Sequence, residues 1–166
     1  EAQRGIMMLD LDAGRSAQAL ATARNIQKQH PKNAAGYLLE GDVHALAKSW
    51  RDAANAYRTG IKQSGADELA IKLHAALAAQ NGPGEADKFA DGWVKEHPKD
   101  ARFRLYLAES STARKDYANA TKHYRVLLDN QPNNPMLLNN LAWVLGQTRD
   151  PKALELAEKA YKLAPE

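Results

Sequence analysis

Cysteine is absent from the 166 residues, which excludes disulfide frameworks, thiolate nucleophiles and cysteine-based zinc sites. No apolar run approaches the roughly 18 residues that a membrane-spanning helix needs. Valine, isoleucine and threonine together number 13, against 31 alanines and 20 leucines, a balance that favours helices over strands. A large excess of either charge is also missing. The 23 basic and 20 acidic side chains leave a net +3, which gives no basis for a nucleic-acid partner. The length suits about one domain, and a chain with 44% hydrophobic residues can form a core without a metal or disulfide staple. An all-α protein is predicted.

What is present is a repeat. Ala19, Ala53, Ala86, Ala120 and Ala153 follow one another at steps of 34, 33, 34 and 33 residues. Ala23, Tyr57, Ala90, Tyr124 and Ala157 keep the same steps, as do Ile26, Gly60, Trp93, Leu127 and Ala160. The offsets within each set place three residues on one helical face. Pro31, Pro98, Pro132 and Pro165 come five residues after the third series, with Gly65 in the equivalent place, so each of these helices meets a residue that ends helices. Upstream lies a second apolar stretch, seen in Tyr37, Leu38 and Gly41, in Arg104, Leu107 and Ala108, and in Leu138, Leu141 and Ala142. The recurring small residue lets two antiparallel helices approach closely. The unit is helix, turn, helix, stop.

These residues resemble the tetratricopeptide repeat, a helical hairpin. Leu107, Ala108, Asp116, Tyr117, Ala120, Tyr124, Leu127 and Pro132 follow that pattern nearly position by position. The resemblance implies about five repeats, 1–33, 34–66, 67–100, 101–134 and 135–166, forming a single right-handed superhelical solenoid with the leading helices on its concave side. Met7 stands where a small residue is usual. In the third repeat the small position falls on His74 or Ala75, and size favours Ala75. The final helix, about 152–163, carries an apolar stripe with no polar capping helix after it. Together with Glu1 at the start, this suggests a fragment of a longer repeat protein, or an end that pairs with another molecule.

Catalytic chemistry is not suggested. None of the five histidines stands four residues from another, so the helical zinc pair is missing. His30 and His97 precede stop prolines, where they suit a helix C-terminus. Gly82, Pro83 and Gly84 lack the lysine and hydroxyl of a phosphate loop and read as a turn. Asn119, Ala120 and Thr121 match a glycosylation sequon by chance, because the alanine is a core repeat position. Asp10 with Asp12, and Glu40 with Asp42, lie two apart and point to different sides of a helix. No catalytic, cofactor-binding or metal-ligating residue is expected.

Among the tryptophans, Trp50 and Trp93 read as packing residues. Trp143 sits at the position that faces the groove in the resembled family, with packing against a neighbouring helix as the competing reading. The family's concave positions fall on Leu38, Leu39, Asp42, Lys72, Arg102, Leu105, Tyr106, Glu109, Thr112, Met136, Asn139, Asn140, Trp143 and Gln147. Of these, Lys72, Arg102, Tyr106, Glu109, Asn139, Asn140 and Trp143 form the candidate partner-binding set. Lys72, Arg102 and Asn140 offer groups that some relatives use to clamp a peptide carboxylate, but in a different order.

Leu138 to Trp143, Asp150, Pro151 and the stretch to Tyr161, with Leu69, Leu73, Trp93, His97 and Pro98, are similar to the bacterial repeat lipoproteins of PEP-CTERM (exosortase) sorting and exopolysaccharide systems. That likeness implies a non-catalytic scaffold on the periplasmic side of a bacterial envelope, with a cytoplasmic setting as the alternative. It would bind a protein or peptide, or a polysaccharide, and touch the membrane only through an N-terminal lipid anchor outside this sequence. Rival readings are self-association through the terminal helix and a targeting module for an enzyme domain elsewhere in the parent.

Overall fold

Four short polar side chains mark helix starts. Asn33 accepts from the Ala35 N–H at 2.8 Å, Asp100 from Phe103 at 2.9 Å, Asp116 from Asn119 at 3.2 Å, and Asn134 from Met136 and Leu137 at 3.1 and 3.2 Å. Each satisfies donors that a first helical turn leaves open. The structure is a computed structural model that describes residues 16–165. The leading helix expected in the first repeat, with Met7, Asp10 and Asp12, lies outside the described residues.

The described residues form nine α-helices and no strand: α1 (Ser16–Gln29), α2 (Ala34–Leu46), α3 (Trp50–Ser64), α4 (Glu68–Asn81), α5 (Pro83–Glu96), α6 (Ala101–Ala113), α7 (Tyr117–Asn130), α8 (Pro135–Gln147) and α9 (Lys152–Leu163). The all-α reading holds. Pro31, Pro98, Pro132 and Pro165 each stand two residues beyond a helix end, and Gly65 closes α3 in the left-handed region at φ 66°. Pro83 and Gly84 belong to the first turn of α5 rather than to a turn as expected, because proline's fixed φ suits a helix start. Gly82 alone makes the bend, at φ 76°.

The turns inside three hairpins share one geometry. Lys48, Lys115 and Arg149 adopt φ values of 57°, 61° and 58°. The next residue's N–H then reaches the carbonyl five positions back, from Ser49 to His44, Asp116 to Ser111 and Asp150 to Leu145, at 2.8, 2.8 and 2.9 Å. This bond pattern closes a helix end by satisfying its last carbonyls.

The chain divides into two compact units, one ending at Glu96 and the other beginning at His97. In the N-terminal unit, Ala19, Ala23 and Ile26 pack with Leu39 and Val43, while Tyr37, Ala53 and Tyr57 pack with Leu69, Leu73 and Leu77. In the C-terminal unit, Ala108, Ala120, Tyr124 and Leu127 pack with Leu137, Leu141, Val144 and Leu145. Ala19, Ala53, Ala86 and Ala120 are fully buried, as expected where helices cross at close range. Ala120→Leu is therefore expected to overpack its crossing and cost about 1–3 kcal/mol. Denaturant titration checks it; an unchanged midpoint would mean the helix spacing is wrong.

Two expectations about individual positions are corrected. Leu39 is not a groove residue: it is buried against Ala19, Ala23 and Ile26, since it projects toward the preceding helix. In α4 the small position belongs to His74, which is buried, whereas Ala75 is exposed. Buried Leu69, Leu73, His74 and Leu77 match Leu137, Leu141, Ala142 and Leu145 of α8 at a constant step of 68 residues. Gly41 and Ala108 share their hairpins with Tyr57 and Tyr124, whereas His74 shares its own with Ala90. The small residue of the following helix leaves room that size alone, judged at one position, does not reveal.

Candidate functional site

Glu109, Thr112 and Ala113 recur at spacings of three and four on α6, and Asn140 and Trp143 at three on α8, so each set shares a helical face. With Tyr124 of α7 they line a cavity of about 340 Å³ in the C-terminal unit. The floor is Tyr124, only 2% exposed, its ring in the core, lining the cavity together with Thr112 and Asn140. Burial pushes the phenol above its ordinary range and the Glu109 charge adds to this, against a partial opposing pull from Thr112 and Asn140. It stays neutral at ordinary pH. Thr112 in turn donates its hydroxyl to the Ala108 carbonyl at 2.8 Å, which holds its oxygen toward the cavity.

Trp143 is the exposed wall. It is 53% exposed and meets Tyr117 edge to face, with centroids 6.3 Å apart and planes at 70°, a favoured aromatic geometry. The ring is exposed rather than packed into the core, and its contact with Tyr117 steadies it. Trp93, at 5% exposure, is a packing residue tilted against Phe89.

The other predicted site residues lie elsewhere. Arg102 is exposed on the first turn of α6. Tyr106 is half-buried beside Phe103, with centroids 6.0 Å apart; burial raises its phenol, against the Arg114 charge and a Ser110 hydrogen bond. Asn139 faces a different cleft between α8 and α9, shared with Met136, Ala157 and Tyr161. Lys72 belongs to the N-terminal unit, where its Nζ donates to Asp42 Oδ1 at 2.9 Å. The same oxygen accepts from the Tyr57 hydroxyl at 2.7 Å. Burial, then the hydrogen bond and charge of Asp42, push the Tyr57 phenol far up. Lys72 is thus engaged with its own unit. Glu40 turns the other way, toward Arg24 Nε at 3.0 Å and Gln27 Nε2 at 2.8 Å, as expected for carboxylates two apart.

Sequence reasoning missed Tyr124 as a site residue, since its spacing marks it as core. The available signal was its type: a buried tyrosine needs a partner for its hydroxyl. Among the described residues no group of three or more His, Asp or Glu side chains is placed to hold a metal ion, and no helix is long and apolar enough to cross a membrane.

A tetratricopeptide repeat family model matches residues 8–68 and 72–135. The structure of MamA aligns with a TM-score of 0.64 at 14% identity, covering 99% of this chain and 91% of that one. The 41-end form of MamA from Desulfovibrio magneticus RS-1 aligns at 0.62 and 17% identity, covering 99% and 94%. YrrB, described as a TPR protein with an unusual peptide-binding site, aligns at 0.59 and 17%, covering 98% and 84%. At these identities the likeness is one of fold. Among curated proteins, anaphase-promoting complex subunit 7 of Arabidopsis thaliana is 27% identical over 133 residues, which is 79% of this chain but 24% of that protein.

Proposed function

Since the chain belongs to the tetratricopeptide repeat family, whose members act as protein-interaction scaffolds, we propose that it is a non-catalytic scaffold that holds a segment of a protein partner at the α6–α8 cavity. The observation that carries this reading is the exposed indole of Trp143 beside Asn140 and Glu109, over a floor formed by Tyr124. Such an arrangement offers an aromatic anchor with a few orienting polar atoms, the usual make-up of a recognition site. The finer part of the proposal places the scaffold in a bacterial envelope system for protein sorting or exopolysaccharide export, on the periplasmic side. It rests on the run Leu138 to Trp143 and the residues that follow it.

The test is capture from a bacterial envelope extract with the wild-type chain and with Trp143→Ala, identifying bound proteins by mass spectrometry. Loss of an aromatic anchor is expected to weaken the specific partner roughly tenfold or more. Equal recovery by both chains, or recovery of nothing, defeats the proposal. A second reading, self-association through α9, is favoured by Leu154, Tyr161 and Leu163, which are 68%, 66% and 45% exposed. Light scattering over a range of concentrations separates the two, since a constant monomer mass removes the second.

A further inference from the structure

We infer that the α6–α8 cavity receives a cationic side chain, arginine or lysine, of an extended peptide. This rests on the reading of that cavity as the place where a partner segment is held, and adds the chemistry of what enters it.

Glu109 is the only ionised group among the residues lining the cavity. It is exposed and has no ion-pair partner among the described residues. The cation Arg114 acts on Tyr106 and Asp116. A carboxylate ligand would meet Glu109 as a like charge, while an ammonium or guanidinium would complete a pair.

The walls also suit a cationic side chain. The exposed indole of Trp143 offers a π-face, the best aromatic surface for a cation, and its edge contact with Tyr117 holds the ring in place. Trp143, Ala113 and the Tyr124 ring suit the methylene stem that lysine and arginine carry below their charge. The Asn140 carbonyl and the neutral Tyr124 oxygen add acceptors, and a guanidinium has five donors to share among such groups. At about 340 Å³ the cavity is near the lower limit for ligand sites, so it suits one side chain of a chain running over the surface.

The probes are three amidated pentapeptides, acetyl-Ala-Ala-Xaa-Ala-Ala, with arginine, its neutral isostere citrulline, or glutamate in the middle. The readout is the indole N–H resonance of Trp143, assigned by its disappearance in Trp143→Phe. The arginine peptide is expected to shift it saturably. The citrulline peptide should bind at least about threefold more weakly, and the glutamate peptide should leave the resonance still. Salt is expected to narrow the difference by screening. Glu109→Gln, a change at an exposed position, should bring arginine down to the level of citrulline. Equal binding of all three peptides, or an arginine affinity unchanged in Glu109→Gln, overturns the cation assignment while leaving a partner-segment site in place. If no peptide moves the indole, the cation assignment also falls, and the envelope capture then judges the scaffold reading separately.

Discussion

Gly41→Leu is expected to destabilise the N-terminal unit by about 3 kcal/mol, the upper end of what overpacking costs. A Cβ at Gly41 would collide with Cε1, Cδ1 and Cζ of the Tyr57 ring. That ring has nowhere to go: Tyr57 is 1% exposed and its hydroxyl donates to Asp42 at 2.7 Å. Relief requires α2 and α3 to separate, which would open the core that Tyr37, Ala53 and Leu73 share with Tyr57. Hydrogen exchange locates the loss, with faster exchange expected in α2 and α3. Gly92→Ala is the matched control in the same unit. Nothing lies within 4 Å of a Cβ built there, so removing a flexible residue from the interior of α5 should stabilise by about 0.5–1 kcal/mol. A Gly41→Leu protein as stable as wild type would mean that the close approach of α2 and α3 is not required.

Tyr124→Ala is expected to cost about 3–5 kcal/mol, the range for truncating a buried aromatic side chain. Tyr124→Phe should cost only about 0.5–1.5 kcal/mol. The ring packs among Ala108, Ala120, Leu127 and Leu141, so truncation leaves a void in the C-terminal unit, whereas the phenylalanine variant removes only the hydroxyl. The pair of variants separates the floor of the cavity from the core beneath it. The phenol also predicts a pH effect. Its folded value lies above the ordinary 10.0, so its contribution to stability is fully present below that pH and is lost as pH rises through the folded value. Tyr124→Phe should therefore flatten the alkaline limb of the stability profile. If the two variants melt alike, the ring is not the core element described above.

Helix order, hairpin pairing and the buried alanines were legible in the sequence, because a helix repeats its buried face at fixed spacing and four repeats of one alanine cannot be accidental. Ala19, Ala53, Ala86 and Ala120 needed no coordinates to be identified as crossing points. The candidate site was legible in part. Glu109, Asn140 and Trp143 come from the concave positions of the resembled repeat, and the structure brings these three together. It sends Arg102, Tyr106 and Asn139 to other surfaces and ties Lys72 to Asp42, because a position in a repeat specifies a helical face but not which neighbour a long side chain reaches. His74 fails for a related reason: whether a bulky residue fits depends on the helix opposite, and Ala90 is remote from it in sequence.

The sequence by itself determined the kind of fold, since the spacing of alanine, tyrosine and leucine dictates which faces must be buried and the prolines dictate where helices stop. Only the tertiary structure decided which polar groups are already committed. Asp42 accepts from Tyr57 and Lys72 through contacts that span 15 and 30 residues of chain. Hydrogen bonds act over about 3 Å, so what remains for a partner, the Trp143 ring and the Glu109 carboxylate, emerges only when the helices are packed.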